Sequence, residues 1–379
     1  DILEVIDNEE VLNLELLKLG EYISSKTLCS MITAYQTMLP KALKANHKVA
    51  MKPKNEVIAV LNKDVSEIYE YISFCSYKKQ VEILKSIIEN GSVKVVSSNV
   101  SSITSLANKG LIKTLSREVY RYNDKAIENK HTVFLNEEQS KVVKEVIDNL
   151  NTNNTYLLKG VTGSGKTEVY MNIIKEVINR GMQAIMLVPE ISLTPQIVSR
   201  FRQRFNNEVA VLHSGLSDGE RYDEYRKIKK GLVKIVVGAR SAIFSPFQNL
   251  GVIIIDEEQV TSYKQENNPK YHTRDVALFR CKYHNCPLVL GSATPSLESY
   301  ARAKKGVYKL LTLNKRANNK LMPEIRIVDM KKEITVVEVN YVGVFPPVIN
   351  LLENLLSNGH KVNFIGAGLE ELPDRITSN

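Results

Sequence analysis

At 379 residues, with 43% hydrophobic and 25% charged side chains, the chain has the length of about two or three domains and the composition of an ordinary globular protein. No apolar run approaches the roughly 20 residues that cross a bilayer and no signal-peptide pattern opens the chain, so no membrane partner is expected and the expected compartment is the cytoplasm. The net charge of +9 favours a polyanionic partner, and the scattered Cys29, Cys75, Cys281 and Cys286 lack the paired spacing of a zinc site and read as reduced thiols.

The first 63 residues are expected to hold helices over Leu12 to Ser25 and Ser30 to Leu39, the second stopped by Pro40. A basic stretch around Lys48, Lys52 and Lys54 with Pro53 reads as a linker, and Val57 to Leu61 as a short strand. Residues 64–122 read as a small helical unit. Lys78 to Glu89 places Val81, Leu84, Ile87 and Ile88 on one face and ends at Gly91, and Ser101 to Lys109 makes a second helix. Leu111 to Leu115 and Val119 to Tyr122 are expected as a two-stranded wing. Two helices and a hairpin resemble a winged helix, made basic by Lys109, Lys113, Arg117 and Arg121; a packing domain with a solvated basic face would give the same pattern.

From Leu135 onward strands alternate with helices, the mark of a parallel sheet covered on both sides. Strands are expected at 156–159, 184–188, 209–212, 234–237, 252–255 and 288–291, and helices at 137–150, 168–180, 194–204, 218–230 and 273–283. The expected fold class is therefore α/β, a RecA-like P-loop lobe with a doubly wound sheet, preceded by the winged helix.

Between the first of these strands and its helix lies Gly160-Val161-Thr162-Gly163-Ser164-Gly165-Lys166-Thr167, a G-x-x-x-x-G-K-[ST] loop. Successive backbone N–H groups and a helix N-terminus there suit a polyphosphate, with Lys166 reaching the β- and γ-phosphates and Thr167 ligating Mg²⁺. About 90 residues on, Val252-Ile253-Ile254-Ile255-Asp256-Glu257 is an apolar strand ending in two carboxylates. Asp256 is positioned to hold Mg²⁺ and Glu257 to polarise the attacking water. Gly291-Ser292-Ala293-Thr294-Pro295-Ser296 follows another strand, where Ser292 and Thr294 would line the ligand crevice at the sheet's carboxyl edge.

In this order the three segments match the first motor lobe of superfamily-2 helicases. The runs Lys166-Thr167-Glu168-Val169-Tyr170, Leu187-Val188-Pro189-Glu190-Ile191-Ser192-Leu193-Thr194-Pro195-Gln196, Leu212-His213-Ser214-Gly215 and Val237-Gly238-Ala239-Arg240-Ser241-Ala242-Ile243-Phe244 resemble the primosomal replication-restart (PriA) helicases in detail. The resemblance implies an ATP- and Mg²⁺-dependent 3′-to-5′ DNA helicase that recognises stalled forks and starts primosome assembly. It implies that Gln139 contacts adenine, and that Ser192, Thr194, Gln196, Gly238, Arg240 and Ser241 touch a single strand. It also makes Ser262 to Asp275 an aromatic-rich loop relaying DNA binding to the ATP site. There Tyr263 and Tyr271 would stack on bases beside Lys264, Lys270 and Arg274. Implied partners are single-stranded and forked DNA, primosome proteins and single-strand-binding protein, with a monomeric state.

By this resemblance residues 1–63 form part of a domain for 3′ DNA ends, 64–122 the winged helix, 123–322 the first motor lobe and 323–379 a remnant leading to a second lobe. Two departures stand out. Gln259 replaces the family's histidine after Asp256-Glu257-Glu258, and Lys361-Val362-Asn363 runs directly into Phe364-Ile365-Gly366, without the family's zinc cysteines. The expectation is a shortened chain without zinc, arginine finger or second lobe, which binds ATP and DNA weakly and unwinds no duplex. The alternative expectation is a non-hydrolytic fragment that binds DNA and ATP.

Overall fold

A computed structural model describes residues 10–44, 53–121 and 134–317, so the remnant expected at 323–379 lies outside the described residues. Helix α1 (Leu14–Thr27) starts at Asn13, whose side chain accepts from the Leu16 N–H, and α2 (Met31–Met38) starts at Ser30, which caps Thr33. Leu16, Leu19 and Ile23 form the buried stripe of α1, one helical turn apart.

That stripe does not build a separate domain. Leu16, Leu19, Ile23, Ala34 and Met38 share one core with Ile243, Phe247 and Cys281 of the later sheet lobe. Glu15 and Arg280, 3% and 0% exposed, form a two-pronged pair with Arg280 Nε and Nη2 at 2.6 and 2.8 Å from the carboxylate, and His284 Nε2 lies 3.0 Å from it. Burial on its own would raise the Glu15 pKa, but the Arg280 charge and the bonds from His284 and Arg280 bring it down to about 2. The first two helices, expected in a domain for DNA ends, are here part of the outer layer of the sheet lobe.

The second unit consists of β1 (Lys54–Leu61), α3 (Val65–Phe74), α4 (Lys78–Asn90), β2 (Val93–Lys94), α5 (Val100–Asn108) and β3 (Ile112–Val119). Its sheet order is β2-β1-β3, antiparallel, around Ala59, Ile68, Leu84, Ile87, Ile103 and Leu106. The wing strands expected at 111–115 and 119–122 are corrected over the described residues, where Ile112–Val119 is one continuous strand. Every residue of β3 has a partner on β1, from Ile112 opposite Leu61 to Val119 opposite Lys54. Strand β1, read with the first 63 residues, therefore belongs to this unit's sheet. The end of β3 is tied to the sheet lobe through Glu118, which receives Arg226 and Lys230, and through Arg121, whose backbone and guanidinium both bond Asp223 at 2.8 Å.

The lobe itself runs α6 (Glu137–Ile147), β4 (Thr155–Gly160), α7 (Lys166–Asn179), β5 (Gln183–Leu187), α8 (Pro195–Phe205), β6 (Val209–Leu212), α9 (Asp218–Lys229), β7 (Ile235–Gly238), β8 (Leu250–Ile255), α10 (Thr273–His284), β9 (Leu288–Ser292), α11 (Leu297–Lys304) and β10 (Lys309–Leu313). Its seven strands are all parallel, in the order β10-β4-β9-β8-β5-β7-β6. Strand β8 is central and buried along its whole length, which is why it reads as an unbroken apolar run. Val252 and Ile254 face the core under α6, α7 and α8, while Ile253 and Ile255 face the core shared with α1 and α10. The consequence for function lies at the carboxyl edge. Strands β4, β9, β8 and β5 lie side by side, so the loops after them, distant in sequence, converge.

Candidate nucleotide site and its coupled loop

The loop after β4 is shaped by Gly163 and Gly165, at φ +77° and +79°, a left-handed backbone that favours glycine. Among the described residues, the N–H groups of Gly163, Gly165, Lys166 and Thr167 donate to no internal acceptor. The Ser164 hydroxyl is likewise buried without a partner. An empty row of donors at the start of a 14-residue helix fits a polyphosphate. Lys166 is folded back, its Nζ donating to the Gly160 carbonyl at 3.1 Å and lying 3.9 Å from Glu257 Oε1. Gln139, expected at an adenine, is buried here: its Nε2 donates to the Ser164 carbonyl at 2.8 Å and its Oε1 accepts from the Asn136 N–H in the capping box of α6. It ties the helix before β4 to the phosphate loop.

Asp256 and Glu257 stand at the end of β8, facing this loop. Asp256 Oδ1 accepts the Tyr170 hydroxyl at 2.9 Å and its main-chain carbonyl accepts the Tyr263 hydroxyl at 2.8 Å. Burial and the adjacent Glu257 charge push the Asp256 carboxyl up to about 6, against the Tyr170 hydrogen bond and the Lys166 charge, which lower it. The folded, ligand-free protein thus holds this proton up to about pH 6 while an unfolded chain releases it near 3.8, so the site costs stability above that window. With Asp256 as the Mg²⁺ ligand expected from the sequence, Mg²⁺-dependent nucleotide binding is expected to weaken about tenfold per pH unit below 6 and to level off above 7. Titration of a fluorescent ATP analogue with Mg²⁺ between pH 5 and 8 measures it; a flat profile would place the proton elsewhere.

Glu257 has φ +46°, a strained value for a residue with a side chain, of the kind concentrated at functional sites. Its Oε2 accepts from Gln259 Nε2 at 2.9 Å, Gln259 Oε1 pairs with the Ser292 hydroxyl at 2.6 Å, and Ser292 Oγ accepts the Thr294 N–H at 2.9 Å. Gln259, the departure seen in the sequence, thus bridges the Asp256-Glu257 edge to the Ser292-Ala293-Thr294 loop. Glu258 has a different task. Its buried carboxylate accepts from the Ser296 N–H at 2.7 Å and the Ser299 hydroxyl at 2.8 Å, fixing the start of α11.

The residues expected to touch a strand divide into two groups. Thr194, Gln196, Ser241, Lys264 and Thr294 are exposed and Ser192 is half-buried. Gly238 is buried, and a Cβ there would lie 2.5 Å from the Leu212 carbonyl, so its close packing is what requires glycine. Arg240 Nη1 donates to the Ser262 and Lys264 carbonyls at 3.0 and 2.9 Å, clamping the aromatic-rich loop. Arg274 turns inward to Ser299 at 3.2 Å and Glu258 at 3.9 Å. The stacking surface expected of Tyr263 and Tyr271 is corrected: they are 1% and 5% exposed, Tyr271 packing edge-on against Phe244 at 5.1 Å. Their rings are apolar filling and only the hydroxyl of Tyr263 reaches the site. Tyr170 is the participant that residue reasoning missed; a tyrosine in an apolar helix stripe one turn beyond Lys166 is the signal that could have found it.

A DEAD/DEAH box helicase family model matches residues 136–303, which contain every element of this site. The chain is 41% identical to the replication restart protein PriA of Bacillus subtilis over 404 aligned positions, covering 88% of this chain and 50% of that protein. It is 34% identical to PriA of Chlamydia muridarum, over 92% of this chain and 47% of that protein. Among solved structures, RecG bound to a three-way DNA junction overlaps 52% of this chain and 25% of its own, at 25% identity and a TM-score of 0.38. The chain spans about half the length of the PriA proteins it matches. With the phosphate loop, the Asp256-Glu257 edge and the bridged Ser292-Ala293-Thr294 loop in one crevice, and with this identity along most of its length, the chain belongs to the PriA-like superfamily-2 helicases.

Proposed function

We propose that this chain carries the ATP site of a DNA-dependent, 3′-to-5′ motor for replication restart that acts at forks and assembles with primosome proteins. The observation that carries the reading is the pair of tyrosines on Asp256. One comes from the phosphate-loop helix and grips the side chain; the other comes from the aromatic-rich loop and grips the main chain. A shift of that loop by a bound strand would therefore act directly on the residue beside Glu257.

In this reading the N–H groups of Gly163, Gly165, Lys166 and Thr167 bind the phosphates, and Lys166 leaves Gly160 to join them. Thr167 and Asp256 would hold Mg²⁺, which neutralises charge building on the phosphates. Glu257 is held at one oxygen by Gln259, and its other oxygen, released as Lys166 moves to the phosphates, would orient water and take its proton. Strand contacts would come from the exposed Ser192-to-Gln196 segment, Ser241 and Lys264.

The test is ATP hydrolysis with and without single-stranded DNA. Lys166→Ala is expected to remove DNA-stimulated turnover by at least about 10²-fold, since a charge on the transferring phosphoryl group is lost. Tailed duplexes with 3′ or 5′ extensions report direction. Nucleotide binding and turnover unchanged in Lys166→Ala would overturn the proposal.

A further inference from the structure

A cleft of about 290 Å³ opens between the end of α1 and the aromatic-rich loop. Its walls carry Lys26 from α1 and Lys264 and Lys270 from the loop, and the first turn of α10, with His272 and Asp275, closes it. Three lysines from segments about 240 residues apart in sequence converge on one space, and Asp275 is the carboxylate among the lining residues. All three lysines are exposed, and among the described residues none forms an ion pair. Lys26 lies in the last turn of α1, where it offsets the negative helix end; that accounts for Lys26 and not for the other two. The positive end of the 12-residue α10 adds to the same side.

The cleft's place decides what it would take. Lys264 is held through its carbonyl by Arg240, next to the exposed Ser241, and Tyr271 of the cleft wall packs on Phe244 of the same turn. The space thus adjoins the surface read as the strand path. We infer that the cleft seats a phosphodiester group of single-stranded DNA between Lys26, Lys264 and Lys270, so that α1 contributes directly to strand binding. The inference rests on the reading of this chain as a DNA motor, and adds a site to it. Lysines suit this task as mobile point charges following a backbone without reading bases.

The experiment is fluorescence anisotropy of a labelled oligothymidylate with wild-type protein, Lys26→Ala and Lys26→Ala/Lys270→Ala, over a salt series. Thermal melts accompany it; both positions are exposed, so both variants are expected to fold. Each lysine removed is expected to weaken binding several-fold at low salt and to reduce the slope of log K against log[salt] by about 0.7. Inorganic pyrophosphate is the second probe and is expected to compete only weakly. Unchanged affinity and slope in Lys26→Ala, with wild type binding normally, would overturn the inference and leave the motor reading intact. Pyrophosphate competing as well as the oligonucleotide, phosphate for phosphate, would make this a free-anion site and overturn the strand assignment alone. Wild type failing to bind the oligonucleotide would remove both.

Discussion

Gly291→Ala is expected to disable the nucleotide site and to destabilise the protein by about 2–5 kcal/mol, the sum of overpacking and a lost buried hydrogen bond. A Cβ at this position would lie 1.6 Å from the Tyr170 hydroxyl and 2.8 Å from its ring carbon, so the tyrosine has to move. Tyr170 is fully buried and has nowhere to go without releasing Asp256. Thermal melting and Mg²⁺-dependent nucleotide titration would follow the two losses. Tyr170→Phe in the same background removes the nearest clashing atom. It is expected to recover part of the stability and little of the metal-dependent affinity, because Asp256 still lacks its donor. A Gly291→Ala protein melting like wild type would show that the β9 edge can yield where the structure has it rigid.

The second large effect concerns the far side of the sheet. Glu15→Gln leaves the Arg280 guanidinium buried with its charge uncompensated, a loss of about 3–5 kcal/mol by denaturant unfolding. Replacing both partners by leucine is expected to lie much closer to wild type, because the charge needing a partner is gone. The pH dependence has a definite sign. With the Glu15 pKa lowered from 4.5 to about 2, the pair contributes about 3 kcal/mol that is complete above pH 4.5 and disappears as pH falls through 2. Limited proteolysis of Glu15→Gln should cut first between α1 and α2 if the helices loosen. Cleavage elsewhere with α1 protected would mean the apolar stripe alone holds it.

The elements that converge on the crevice are legible in the sequence because each is local. A phosphate loop and a strand-terminal Asp256-Glu257 each announce themselves within eight residues, and the alternation of strands and helices orders them. Six of the lobe's strands were read within a few residues of their bounds. The seventh, β10, is a half-exposed edge strand, and α11 is a single capped helix of eight residues, so neither has the apolar periodicity that marks its neighbours. What could not be read was long-range. Pairing of β3 with β1 across two helices, the docking of Glu15 on Arg280, and the burial of Tyr263 and Tyr271 depend on partners tens to hundreds of residues away. An aromatic beside lysines looks the same in sequence whether its ring faces a base or a core.

Arg240 bonds the loop at the carbonyl oxygens of Ser262 and Lys264, and its guanidinium also meets the Tyr271 hydroxyl. A joint of that kind is indifferent to what residues 262 and 264 are, provided the backbone keeps its course. The loop can therefore exchange its exposed side chains at 262 and 264, and with them its liking for one strand or another, without being cut loose from the turn that carries Ser241. A library randomised at the exposed positions 262 and 264 should yield many folded variants, and one randomised at Arg240 few.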